Sequence, residues 1–222
     1  MKTLSLQWIT MGVLSFAACA QEAGSPKIDE GKIHVDRSGS GSLPVLSESK
    51  RKECMERGEE ASSALMLNLG KQLKASMAGG DLMAAIAVCQ SAAQPITSAT
   101  GETFQGLSVS RTSLRVRNSD ANRPDATDRE ILTQWARLSA QSQDIEPGIV
   151  QVSGTTVRYY RPVFVQEACL KCHGPVEFIE KDVRDFLAEA YPDDEATGYE
   201  EGDLRGAFRV DIDLDESVQP FE

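Results

Sequence analysis

Apolar positions recur with a helical period early in the chain and with a period of two later on. Between Ser47 and Met77, Leu65, Leu69 and Leu73 lie four residues apart, with Met66 and Met77 close to that stripe. The spacing predicts a long helix with Ser47 as its cap. Gly79-Gly80 ends it. Asp81 can cap a second helix from Leu82 to about Thr97, with apolar positions at Leu82, Ile86 and Cys89. Ala85, Ala92 and Ala93 stand beside that stripe. Cys89 therefore falls on or near the inward face, where small neighbours leave room for a bulky group. Alternation then predicts strands over 107–116, 149–152, 156–165 and 206–214, with Ser153-Gly154 turning a hairpin between the second and third. Two more helices are expected around 127–142 and 176–190. No βαβ rhythm and no repeat is present, so the expected class is α+β with an antiparallel sheet.

The start of the chain has a different pattern. Met1-Lys2-Thr3 is a short positive opening, and Leu4 to Ala18 is mostly apolar, leading to Phe16-Ala17-Ala18-Cys19. This predicts an export signal over 1–18, too short to span a membrane. Cys19 is read as the lipidated residue of a lipobox, and Ala18-Cys19-Ala20 as the competing simple cleavage site. Residues 19–46 hold Gly24-Ser25-Pro26 and Ser38-Gly39-Ser40-Gly41-Ser42, the composition of a flexible tether, and His34 lies within it. The expected layout is thus a signal (1–18), a tether (19–46) and one domain (47–222). A length of 222 residues and 41% hydrophobic content fit one domain with a real core. The formal charge of −11 argues against nucleic acid and against basic-patch binding to anionic membranes. The expected location is the periplasm or outer envelope, with membrane contact only through a lipid on Cys19.

Composition says little about chemistry, but one motif says much. Cys169-Leu170-Lys171-Cys172-His173 is a C-x-x-C-H sequence, the attachment site of a c-type haem. Two thiols three positions apart can add across the two vinyl groups of one haem, and the adjacent imidazole can ligate its iron. The competing readings are a redox dithiol, half a zinc site, or chance. A redox dithiol normally opens a helix in a βαβ setting, whereas here Gly174-Pro175 follows. A zinc site needs further ligands nearby, and the chain has one other histidine, His34, and no second C-x-x-C. The expected cofactor is one covalently bound haem c. Cys54 and Cys89 are left over, either as a disulfide or with one of them facing the iron. There is no nucleophile elbow, phosphate loop or histidine pair, so no enzymatic activity is expected.

Several segments together resemble the bacterial and cyanobacterial c-type haem proteins with a PAS-like domain and His/Cys iron ligation. Ala85-Ile86-Ala87-Val88-Cys89 is similar to the family's helical cysteine motif. Arg111-Thr112-Ser113-Leu114-Arg115-Val116-Arg117-Asn118, with Asn122, Pro124 and Asp125, resembles its R-T-S-L-x-x-R-N-x-x-N-x-P-D block. Tyr160-Arg161-Pro162 precedes the haem motif, and Tyr191 to Tyr199, Gly202-Asp203 and Leu204 to Phe208 close the match. Ala126-Thr127 departs from the family, which often carries an aromatic-acidic pair there. The resemblance covers about 54–214. It implies a PAS-like antiparallel sheet behind a long N-terminal helical segment, with haem between helices and sheet. It also implies axial ligation by His173 and Cys89. Without it, Cys89 reads first as a small buried hydrophobe, the commonest fate of a free cysteine. Arg111, Arg115 and Arg117 are candidates to hold a haem propionate or a thiolate, with surface ion pairing as the even alternative. The expected role is a redox or gas sensor, with a small electron carrier as the alternative. Either needs a separate redox or signalling protein as partner.

Overall fold

The computed structural model describes residues 45–78 and 80–215. The signal, most of the tether, Cys19 and His34 lie outside the described residues. The first described element is a 30-residue helix, α1 (Glu48–Met77), capped by Ser47, whose side chain accepts from the Lys50 amide. Two helices follow, α2 (Leu82–Ser91) and α3 (Ala93–Glu102). One continuous helix over 82–97 was expected. Pro95 carries no amide to bond back to Ser91, so the helix breaks and restarts. After β1 (Leu107–Thr112) come the short α4 (Ser119–Asn122) and α5 (Ala126–Ala140). The hairpin β2 (Gly148–Gln151) and β3 (Thr156–Phe164) is present as expected. A single turn, α6 (Leu170–His173), carries the end of the C-x-x-C-H motif, and α7 (Lys181–Ala190) and β4 (Leu204–Asp213) complete the order. The helix expected from Val176 is interrupted. A 3-10 turn spans Val176–Phe178, and Ile179 is extended before α7 begins.

The four strands form one antiparallel sheet in the order β1-β4-β3-β2. Strand β1 stops at Thr112, short of the expected Val116. There the Ser113 hydroxyl bonds locally, accepting from the Arg115 amide and lying 2.7 Å from the Arg205 carbonyl.

Helices pack on both faces of the sheet. On the first face, Cys54, Ala61 and Leu65 of α1 meet Val157 and Tyr159 of β3 and Val210 and Ile212 of β4. Gly58 is what lets α1 approach. A Cβ there would stand 2.2 Å from Cγ of the Tyr159 ring. On the second face, Ile131, Leu132 and Trp135 of α5 meet Val150 and Tyr160. A charged cluster ties α5 down. The fully buried Asp128 accepts from Tyr160 Oη at 2.6 Å, Arg209 Nη1 at 2.8 Å and Arg158 Nη1 at 3.2 Å. The buried carboxylate is thus paired and hydrogen-bonded, as its desolvation requires. Asp125 caps α5 in a reciprocal capping box with Asp128.

Candidate functional site

A cavity of about 340 Å³ lies where the C-terminal half of α1 and the α2–α3 pair pass over the ends of the strands. Its walls are mainly apolar. Leu69, Leu73 and Met77 come from α1, and Leu82 and Ile86 from α2. The long helix thus has two halves with different jobs, the first packing on the sheet and the second roofing the cavity. Leu187 and Tyr191 at the end of α7 close another side. Ile86 is anchored by a small cluster with Ile179, Val183 and Leu187.

Cys169, Cys172 and His173 all face this cavity, and so does Cys89. Residues 84 positions apart in the chain are thereby brought to one space. Cys89 sits near the end of α2, with Ala85 and Ala93 also in the wall. Its thiol is open to the cavity. Burial among protein atoms raises it above its ordinary value, against the pull of the Arg117 and Arg111 guanidiniums. Cys172 is raised in the same way, again mainly by burial. The four described cysteines are all free thiols, so Cys54 and Cys89 are not joined. Cys54 lies in the core under α1. Its charged neighbours hid that position in the sequence, but the spacing of Cys54, Gly58, Ala61 and Leu65 marks a narrow packed face.

His173 is fixed by a short strap of backbone, residues 194–199. Its Nδ1 lies 2.6 Å from the Ala196 carbonyl. A carbonyl can only accept, so Nδ1 carries the proton and the Nε2 lone pair is left free for a metal. Burial, reinforced by Arg117 and Arg205, holds the imidazole well below its ordinary pKa and hence neutral. The strap also takes the His173 carbonyl through the Tyr199 amide at 2.9 Å and the Gly174 carbonyl through the Gly198 amide at 2.7 Å. Gly174 is needed here, because a Cβ would lie 2.6 Å from the Leu170 carbonyl oxygen.

The three candidate arginines turn out to have different duties. Arg117 is half of a nearly buried ion pair, with Nε 2.9 Å from Asp194 Oδ2. It also donates to the carbonyls of Cys172 at 2.6 Å and Ala196 at 3.2 Å. Arg115 donates to the Glu195 and Thr197 carbonyls and lies 4.2 Å over the Tyr199 ring. Both arginines therefore position the strap that positions His173. Arg111 alone keeps free capacity at the cavity. Its buried Nε has no partner, and its Nη2 makes only a long 3.5 Å contact with Gln94. Arg205 was not singled out from the sequence, yet it also lines the cavity and donates to Ser113 Oγ at 2.9 Å. Its signal was its place in the Leu204-Arg205-Gly206 segment. Gly206 is required there, since a Cβ would fall 2.4 Å from the Thr112 carbonyl oxygen.

No curated protein matches the chain in sequence. Among solved structures, it is similar to the crystal structure of the cyanobacterial haem-protein Tll0287, with a TM-score of 0.52 and 22% identity. That likeness covers 78% of this chain and 100% of the other, and it shows a shared fold. The profile of the Tll0287-like family matches residues 44–213, a stretch that contains the α1–α3 roof, the whole sheet, the C-x-x-C-H motif and the strap behind it, so the chain belongs to the Tll0287-like family.

Proposed function

We propose that this chain is an exported, monohaem c-type protein that works as a redox or gas sensor. The observation that carries the reading is the meeting of Cys89 with Cys169, Cys172 and His173 around one apolar cavity. The residues present fit a haem in three respects. Two thiols and one oriented, neutral imidazole share a short helical turn. The walls are apolar, as a macrocycle needs. The unpartnered Arg111 Nε supplies a buried cation for a propionate. When bound, the haem supplies a one-electron iron centre and a ligand-binding metal.

Each residue then has a role. Cys169 and Cys172 hold the group through thioethers. His173 Nε2 would ligate the iron, kept in its tautomer by the Ala196 carbonyl. Cys89, presented by α2, would supply the second protein ligand. Arg111 binds a propionate, while Arg115 and Arg117 hold the strap. The fold is read as PAS-like on the antiparallel sheet and its roofing helices, and as the seat of the haem between them. The N-terminal pattern supports export and a lipid on Cys19, and no enzymatic activity is assigned.

Sensing is favoured because Cys89 opens to the cavity from α2, which packs chiefly on α1, α3 and α7 rather than on the sheet. Loss of that contact would free α2 to move. The second reading, an electron carrier, is favoured by the exposed apolar and acidic surface beside the motif. A redox titration with carbon monoxide or nitric oxide, followed spectroscopically, separates the two. Rapid gas binding to the reduced protein supports sensing. An inert six-coordinate spectrum in both oxidation states contradicts it and supports electron transfer.

A further inference from the structure

Directly after the C-x-x-C-H turn, the chain exposes two large apolar side chains. Phe178 is 80% exposed and Val176 is 50% exposed. Both stand on the 3-10 turn Val176–Phe178, three to five residues beyond His173. The same segment buries Ile179, so the turn is held firmly enough to present its neighbours outward. Isolated exposed apolar residues are ordinary, but these two have an uncommon rim. Residues 176–201 contain ten Asp and Glu against Lys181 and Arg184, a net −8 within a chain of −11. Glu177, Glu180, Asp182, Asp185 and Glu189 are all exposed on the turn and on α7. Lys181 is spent on Asp185. Helix α7 carries this charge on its outer face and packs Val183 and Leu187 inward, toward Cys172 and the cavity.

An apolar centre with a charged rim is the anatomy of a protein docking site, and the sign of the rim selects the partner. A second copy of this chain would bring one acidic face against another. We infer that the Val176–Phe178 turn and the α7 rim form the docking surface for a basic one-electron redox protein, whose lysine-rich face surrounds its own exposed cofactor edge. This rests on the haem reading above. One electron crosses from the reduced centre of one protein to the oxidised iron of the other, and no atom or proton need transfer. Steering by a field of this kind raises association rates by one to three orders of magnitude at low ionic strength.

Stopped-flow kinetics of the holoprotein test this, with a lysine-rich mitochondrial cytochrome c as basic probe and an acidic plastocyanin as control. The bimolecular rate with the basic probe is expected to fall steeply as salt rises. Neutralising the rim (Glu177→Gln, Glu180→Gln, Asp182→Asn and Glu189→Gln together) should lower the low-salt rate about tenfold and flatten its salt dependence. Phe178→Ser should lower the rate at every salt concentration. Four neutralisations elsewhere (Glu102→Gln, Glu130→Gln, Asp144→Asn and Glu146→Gln) should leave most of the rate and its slope. Equal slopes in the two quadruple variants, or a faster reaction with the acidic control, would overturn the docking surface. If dithionite reduces the wild-type haem normally in that case, the haem reading stands. A chain without covalent haem would overturn both.

Discussion

At the residue scale, the functional reading turns on two cysteines that the fold places in different surroundings. Cys54 and Cys89 are both free, both helical and both unclaimed by the C-x-x-C-H motif. Their surroundings differ completely. Cys54 is sealed between α1 and the sheet, while Cys89 faces the cavity that also holds His173. Cys89→Ala should therefore change the ferric absorption spectrum, raise the reduction potential and admit exogenous ligands such as imidazole, because a charge-donating thiolate is lost. Cys54→Ser should leave spectrum and potential alone and cost roughly 1–3 kcal/mol in denaturant unfolding, the cost of a hydroxyl buried without a designed partner. A Cys89→Ala protein indistinguishable from wild type in spectrum and potential would remove Cys89 from the iron. His173 shows the complementary case. Its tautomer is set by a backbone carbonyl, so no side chain in the sequence could have pointed to it. What the sequence did hold was Arg115, Arg117 and Asp194, which together hold that carbonyl in place.

At the element scale, α1 comes close against β3 over Gly58, where a Cβ would lie 2.2 Å from Cγ of Tyr159. Gly58→Ala should cost roughly 1–3 kcal/mol, as overpacking a tight contact does, despite the better helix propensity of alanine. Thermal or urea unfolding checks it. Unchanged stability would mean that the Tyr159 ring can yield. The elements themselves were largely legible. The caps Ser47 and Asp81, the Leu65-Leu69-Leu73 stripe and the Phe208-Val210-Ile212 alternation each mark an element the structure contains. The misreadings have physical causes. Periodicity sees side chains and misses the absent amide of Pro95, which splits α2 from α3. It also misses Ser113, whose hydroxyl takes over local bonding and ends β1. Periodicity places α5 but does not say which face of the sheet Ile131, Leu132 and Trp135 cover; only the fold shows that it is the face opposite α1.

At the scale of the whole molecule, the fold separates stability from chemistry. The sheet, the first half of α1 and α5 form two packed layers of contact, and the site lies beyond their end. There the roof of α2 and α3 faces the motif turn, and most of the net charge gathers on the segment just past that turn. The motif Cys169–His173 was legible because its spacing alone specifies the chemistry. The cavity was not, because it is assembled from elements distant in sequence that only the fold brings together. The central claim is a single haem held covalently by Cys169 and Cys172. Intact-mass spectrometry of the purified protein tests it. The wild type should be heavier by one haem than a Cys169→Ala, Cys172→Ala double variant prepared in the same way, once the two substitutions are allowed for. A wild-type chain at its bare polypeptide mass, or a double variant that retains covalent haem after acid-acetone extraction, would contradict it.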